Sequence, residues 1–204
     1  GNRKNPASHG RHVCRGIERT LQATVGMFAL ALWDREKKVL TLARDRMGEK
    51  PLYYGWQDSL FIFGSELKAL KAHPGFRCEV DRNALTLLLR HNCIPAPHSI
   101  YKGVAKLMPG HYLSLPLLDL VVARAAQPHA YWRMNETVEY GLANPFTGSA
   151  GEAIDLLQAQ LSKSIASQML ADVPLGAFLS GRVDSSTIVA LRQAQSRQSV
   201  RTCT

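Results

Sequence analysis

A chain of 204 residues, 46% of them hydrophobic, has material for one full domain or for parts of two; with no apolar run of transmembrane length and no charged-then-apolar leader, it does not read as a membrane protein. Its four cysteines (Cys14, Cys78, Cys93, Cys203) are scattered without a C-x-x-C pair, which argues against zinc ribbons and disulfide frameworks and suits a reducing cytoplasm. The net charge of +9 invites a nucleic-acid reading, but basic and acidic residues alternate, as in Arg35-Glu36-Lys37-Lys38, and the densest basic stretch, the first fifteen residues, has no aromatic for base stacking.

From Gly1 to about Ile17 the chain shows neither helical nor strand periodicity and reads as an irregular basic segment, 1–17. Ile17–Ala23 reads as a helix end. Val25–Trp33 is apolar on both faces, which predicts a fully buried strand. Asp34–Lys38 is a turn, and Val39–Arg44 completes a hairpin. A charged loop, Arg44–Pro51, follows, then short strands at Leu52–Tyr54 and Leu60–Phe63. A buried antiparallel sheet needs cover on both faces, which a layered αββα sandwich supplies. Arg44 and Asp45 are expected to order their loop rather than touch a substrate. Ser65 and Glu66 read as a helix start, with Glu66 in the first turn.

Asp81 is placed to cap a helix through Leu85, Leu88 and Leu89 that ends before Pro95. Ala96–Tyr101 reads as a stiff extended link, and Met108-Pro109-Gly110 as a turn before the strand His111–Leu115. His91, His98 and His111 share no metal-ligand spacing and are assigned to structure or surface. Residues 116–148 read as an interdomain linker, with a short strand at Tyr131-Trp132. Ser149-Ala150-Gly151-Glu152 is a capping-box signature. Ile154, Leu157, Leu161 and Ile165 behind it recur at helical spacing, so this helix is expected to pack on the strand before the next loop.

That next stretch, Leu175–Ser186, carries the chemistry. An apolar run stops at Ser180-Gly181-Arg182-Val183-Asp184-Ser185-Ser186, and a helix is expected to open at Thr187. The predicted unit is a buried strand, a loop and a helix, with free N–H groups and the positive end of the helix dipole facing the loop. It is not a Walker A motif, because no Gly-Lys-Ser/Thr closes it. It offers the hydroxyls of Ser180, Ser185 and Ser186, one glycine and the Asp184 carboxylate. Hydroxyls and amides hold pyrophosphate, and a carboxylate beside phosphates makes sense with Mg2+ between them. The plainer reading, that Asp184 or Ser185 only caps the helix, does not explain serines at both ends of the turn.

S-G-R-V-D-S-S resembles the S-G-G-x-D-S-S pyrophosphate loop of the ATP-pyrophosphatase enzymes, and A-D-V-P-L-G-A-F-L before it narrows the likeness to the glutamine-hydrolysing asparagine synthases. The resemblance implies ATP-site roles for Leu179, Ser180, Gly181, Asp184, Ser185 and Ser186, with Mg2+ at Asp184. The family's second glycine is Arg182 here. If that backbone needs positive φ, a side chain costs about 1 kcal/mol or more. A guanidinium there could add a phosphate contact, but the expectation is that its bulk crowds the phosphate and weakens ATP binding. Upstream, G-M-F-A-L-A-L-W-D, A-R-D-R-M-G-E-K-P-L-Y-Y-G and G-S-E-L-K-A-L resemble the later half of a class II glutamine amidotransferase domain. The two likenesses stand in the family's order, glutaminase then synthetase.

The fold class implied is α+β followed by α/β: a partial αββα sandwich, then the start of a parallel-sheet ATP-pyrophosphatase domain. The segments are 1–17 irregular, 18–115 amidotransferase, 116–148 linker and 149–204 ATP-binding. The family couples aspartate, glutamine and ATP to form asparagine through a β-aspartyl adenylate. Its amidotransferases use an N-terminal cysteine whose α-amine is the base. This chain begins at Gly1 and its first cysteine is Cys14. It also stops about one helix past the phosphate loop. The expectation is therefore a piece truncated at both ends, with no catalytic residue and neither half reaction. A related ATP-dependent amide or lactam synthetase and a non-catalytic relic or regulatory module are the alternatives. Cytoplasmic location, small-molecule partners, no nucleic acid, no membrane and an assembly compatible with a homodimer complete the expectation.

Overall fold

The computed structural model describes residues 16–204. The readings of residues 1–15, including Cys14, lie outside them. The chain divides into two compact units, residues 1–138 and 139–204.

The first unit is built in layers. Strands β1 (Ala29–Asp34), β2 (Val39–Arg44), β6 (His111–Pro116) and β7 (His129–Ala130) form one antiparallel sheet in the order β1-β2-β6-β7. Strands β3 (Tyr53–Gln57), β4 (Leu60–Gly64) and β5 (Val104–Lys106) form a second, in the order β4-β3-β5. Alternation along β2 sorts its side chains. Leu40 and Leu42 face the second sheet with Leu113 and Leu115 of β6, and Leu52, Leu107, Tyr54, Trp56 and Phe61 meet them there. Ala43 points the other way, toward Leu21 of helix α1 (Ile17–Ala23) and Tyr131. On the outer face of the second sheet, Ile62 and Val104 pack on Leu70 of helix α2 (Leu67–Lys71). The first unit thus holds two antiparallel sheets, with α1 packed on one and α2 on the other. Full burial of a leucine contributes roughly 1.5–3 kcal/mol, and Leu42, Leu107, Leu113 and Leu115 are all buried. Helix α3 (Arg82–His91) starts as expected, with Asp81 accepting from the Asn83 N–H at 2.9 Å.

Four expectations are corrected. The first hairpin strand is not fully buried. It begins at Ala29, it lies at the sheet edge, and Val25, Met27 and Trp33 are exposed. An apolar run marks a strand, but burial depends on what covers each face, and the doubly covered strand is β2. Glu66 stands at the N-cap position of α2 rather than in its first turn, and its carboxylate pairs with Lys68 at 2.6 Å. Residues 96–101 are not extended throughout: 96–97 form a turn, the His98 N–H donating to the Pro95 carbonyl at 3.0 Å, Ser99 is buried, and Tyr101 bridges to Val80. Residues 116–148 are not a featureless linker. Asp119 caps helix α4 (Leu120–Ala125), whose Ala123 lies in the intersheet core, and Tyr131 is buried after β7. The run Leu117–Val122 looked irregular because only one small residue of α4 reaches the core. Helix α5 (Met134–Ala143) follows and buries no residue.

The charged loop is ordered by Arg44 and Asp45, as expected. The Arg44 guanidinium donates to the carbonyls of Lys50 (2.8 Å), Leu107 (2.7 Å) and Gly48 (2.6 Å). The Asp45 carboxylate accepts from the N–H groups of Glu49 (2.9 Å), Lys50 (3.0 Å) and Phe28 (3.3 Å). Asp45 is 1% exposed. Burial pushes its carboxyl upward, but the N–H groups of Lys50, Glu49, Phe28 and Gly48 together outweigh that and hold it below the ordinary carboxylate value. Arg46 caps the end of α1 through the Gln22 and Thr24 carbonyls, both at 2.6 Å.

The second unit holds helix α6 (Ala150–Gln168), strand β8 (Gly176–Phe178), helix α7 (Val183–Ala194) and strand β9 (Arg201–Cys203). β8 and β9 pair in parallel, joined through α7. The Ser149–Glu152 capping box forms, the Ser149 N–H donating to Glu152 at 2.7 Å. Helix α6 packs along α7 rather than chiefly on the strand, with Ile165 buried and Ile154 and Leu157 exposed. Among the described residues no helix is long and apolar enough to cross a membrane.

Candidate functional site

The site is the turn between β8 and α7. β8 delivers the chain to it and is itself exposed: Phe178 is 84% accessible among the described residues, so the expectation of a buried strand is corrected. The Leu179 N–H donates to the Cys203 carbonyl at 2.8 Å, extending the parallel pairing by one residue and fixing where the turn begins. Gly181 then takes φ +74, the left-handed region a side chain disfavours, and an ideal Cβ there would meet nothing within 4 Å.

Helix α7 starts at Val183, not at Thr187, because the turn closes sooner than the apolar spacing indicated. Asp184, Ser185 and Ser186 therefore sit within its first turn. Arg182 is the N-cap residue at φ −93 and ψ 159, ordinary extended backbone. The backbone-strain premise attached to Arg182 is thereby corrected, since the left-handed residue is its neighbour Gly181. The Ser186 N–H donates to the Arg182 carbonyl at 3.0 Å. The Ser185 hydroxyl donates to the same carbonyl at 3.1 Å, accepts from the Ser180 N–H at 3.3 Å, and lies 3.1 Å from the Ser180 hydroxyl. Ser180 and Ser185 are thus brought together across the turn. Neither Asp184 nor Ser185 is the N-cap, so the plainer capping reading fails in its literal form.

The remaining candidates are placed but not linked. Asp184 is exposed in the first turn of α7, where the helix dipole favours its charge. Ser186 contributes its backbone to the first helical bond. Leu179 is half-buried and acts through its amide. One positioning residue escaped the sequence reading. Arg192, in the last turn of α7, donates to the carbonyls of Gly176 (2.8 Å) and Leu175 (2.9 Å), pinning the helix to the strand that feeds the turn. A basic residue in a helix's last turn is the signal, but its target sixteen residues upstream is invisible without the fold.

The donor set suits a polyphosphate. The free first-turn amides of a helix, two converging hydroxyls and a glycine without Cβ present donors and open space, and Asp184 adds an oxygen ligand of the kind Mg2+ takes.

Two antiparallel sheets between helices, consistent with a class II amidotransferase domain, followed by a strand–loop–helix unit, define the class of this protein. A family model described as glutamine amidotransferase domain matches residues 12–132, and one described as asparagine synthase matches residues 156–204. The chain is 34% identical over 167 residues to asparagine synthetase [glutamine-hydrolyzing] 3 of Bacillus subtilis, covering 81% of this chain and 25% of that protein. It is 35% identical over 168 residues to putative asparagine synthetase [glutamine-hydrolyzing] 2 of Methanocaldococcus jannaschii, covering 81% and 30%. A putative asparagine synthetase [glutamine-hydrolyzing] of Mycobacterium tuberculosis is 35% identical over 177 residues, covering 84% and 26%. The chain belongs to the glutamine-hydrolysing asparagine synthetase family. It spans 25–30% of the length of these relatives.

Proposed function

We propose that this chain carries part of an asparagine synthase, in which an amide nitrogen released from glutamine is transferred to aspartate at the expense of ATP, and that residues 179–186 hold the ATP phosphates. Ser180, Ser185 and the first-turn amides of α7 supply the donors, Gly181 leaves room for the phosphate, the Leu179 amide fixes the turn, and Asp184 would hold Mg2+. Bound Mg2+ would offset phosphate charge; the chain's own task is to position the triphosphate. The observation that carries the reading is the convergence of Ser180 and Ser185 hydroxyls, 3.1 Å apart, at the head of a helix within the asparagine synthase match.

The domain layout in this reading is an amidotransferase portion through about Trp132, a connection to Gly148 and an ATP-binding portion from Ser149. The buried Ala123 and Tyr131 support moving the first boundary past 115. The parallel pair β8–β9 supports reading the second portion as the opening of a parallel sheet. Cys78, Cys93 and Cys203 are free, exposed thiols, which supports a cytoplasmic setting.

Calorimetric titration of the full chain with Mg-ATP tests the site. Binding is expected, and Ser185→Ala should weaken it about tenfold by removing one hydroxyl and loosening the turn. Absence of binding, or binding indifferent to Ser185→Ala, defeats the assignment.

A further inference from the structure

Arg182 occupies a position where the family's pattern has glycine, and the fold accommodates it without strain. Its φ of −93 is open to any residue, and the left-handed turn is made by Gly181 instead. Its backbone is held from two sides, its carbonyl accepting from the Ser185 hydroxyl and the Ser186 N–H. The side chain starts from the N-cap position of α7. It makes no side-chain capping bond, and among the described residues it enters none of the ion pairs, although Asp184 is two residues away. The residue is exposed. A guanidinium is always charged and presents a planar fork of donors suited to phosphate oxygens. The turn that it borders carries the first-turn amides of α7, the Ser180 and Ser185 hydroxyls and the Asp184 carboxylate.

We infer that Arg182 is a phosphate-contacting residue: its guanidinium adds a charge-assisted contact to a polyphosphate seated on the 179–186 turn, strengthening binding rather than crowding it. This rests on the phosphate-loop reading above and deepens it. It reverses the expectation that the side chain's bulk crowds the phosphate; of the two grounds for that expectation, the structure removes the backbone strain.

The test is binding, not turnover. The full chain is titrated with inorganic pyrophosphate and with Mg-ATP at low and at high ionic strength, beside Arg182→Gln, Arg182→Lys and Arg182→Gly. Arg182→Gln is expected to weaken pyrophosphate binding about tenfold. Arg182→Lys, which keeps the charge and loses the fork, should fall between. The gap between parent and Arg182→Gln should narrow as salt rises, as screening of an exposed charge requires. Arg182 is exposed, so the variants should keep the parent's circular dichroism spectrum. If the parent binds and Arg182→Gln is unchanged, or Arg182→Gly binds more tightly, the Arg182 assignment is overturned while the phosphate loop stands. If the parent binds neither ligand, both fall together.

Discussion

At the scale of single residues, Asp45 shows how a buried charge can be held by backbone donors. Its carboxylate replaces water with three backbone N–H groups drawn from residues 28, 49 and 50, and so ties the start of the first hairpin to the loop after it. Asp45→Asn keeps one acceptor oxygen and turns an NH2 toward backbone donors. It should cost about 2–4 kcal/mol in urea unfolding at neutral pH. The sign of the pH dependence follows from the direction of the shift. The carboxyl is held below its unfolded value, so its contribution is complete above roughly pH 4 and is lost as pH falls through the folded value. The Asp45→Asn protein should therefore lose less stability than the parent on acidification below that point; an equally steep acid limb would remove Asp45 from the account. The Arg44-Asp45 pair was legible as a loop-ordering device because a charged run between two apolar strands must satisfy their backbone ends. Which carbonyls and amides it serves was not legible, since Leu107 lies sixty-three residues away from Arg44.

At the scale of elements, the second sheet depends on one close approach. An ideal Cβ on Gly55 of β3 would lie 1.9 Å from the Gly103 carbonyl oxygen and 2.9 Å from the Val104 Cα. Both obstacles are backbone, so the strands would have to part. Gly55→Ala should lower stability by about 3 kcal/mol or more, or leave no soluble protein. A variant that melts with the parent would contradict the β3–β5 register. In the second unit, Ser149→Ala removes the reciprocal cap of α6 and should cost about 1 kcal/mol, read as a lower helical signal and an earlier thermal transition. Elements with strong local signals appeared, the Asp81 and Ser149 caps where the pattern put them, the hairpin and the strand–turn–helix with shifted starts at Ala29 and Val183. Those with a single core contact, such as α4 with Ala123, were missed because one small buried residue leaves no periodicity to count.

At the scale of the whole molecule, the two compact units meet in the chain near residue 138, and the stretch after α5 is exposed around Phe146. Exposed connections with few backbone bonds are cut first. Brief chymotrypsin digestion should cleave after Phe146 before any aromatic of Tyr53–Phe63, as mass spectrometry of the fragments would show; early cleavage within β3 or β4 would mean the sandwich is not the more protected part. The sequence by itself determined the order of the two family matches and the strand–turn–helix between residues 176 and 194. Apolar alternation, capping residues and a serine-flanked glycine act over a few neighbours and do not depend on distant contacts. Only the tertiary structure decided which strand is covered on both faces, that 117–132 belongs with the first sheet, and that the left-handed backbone at the turn falls on Gly181 and spares Arg182. Those outcomes are set by which distant surfaces meet and by how hydrogen bonds close around a turn, and neither is written in the spacing of residues along the chain.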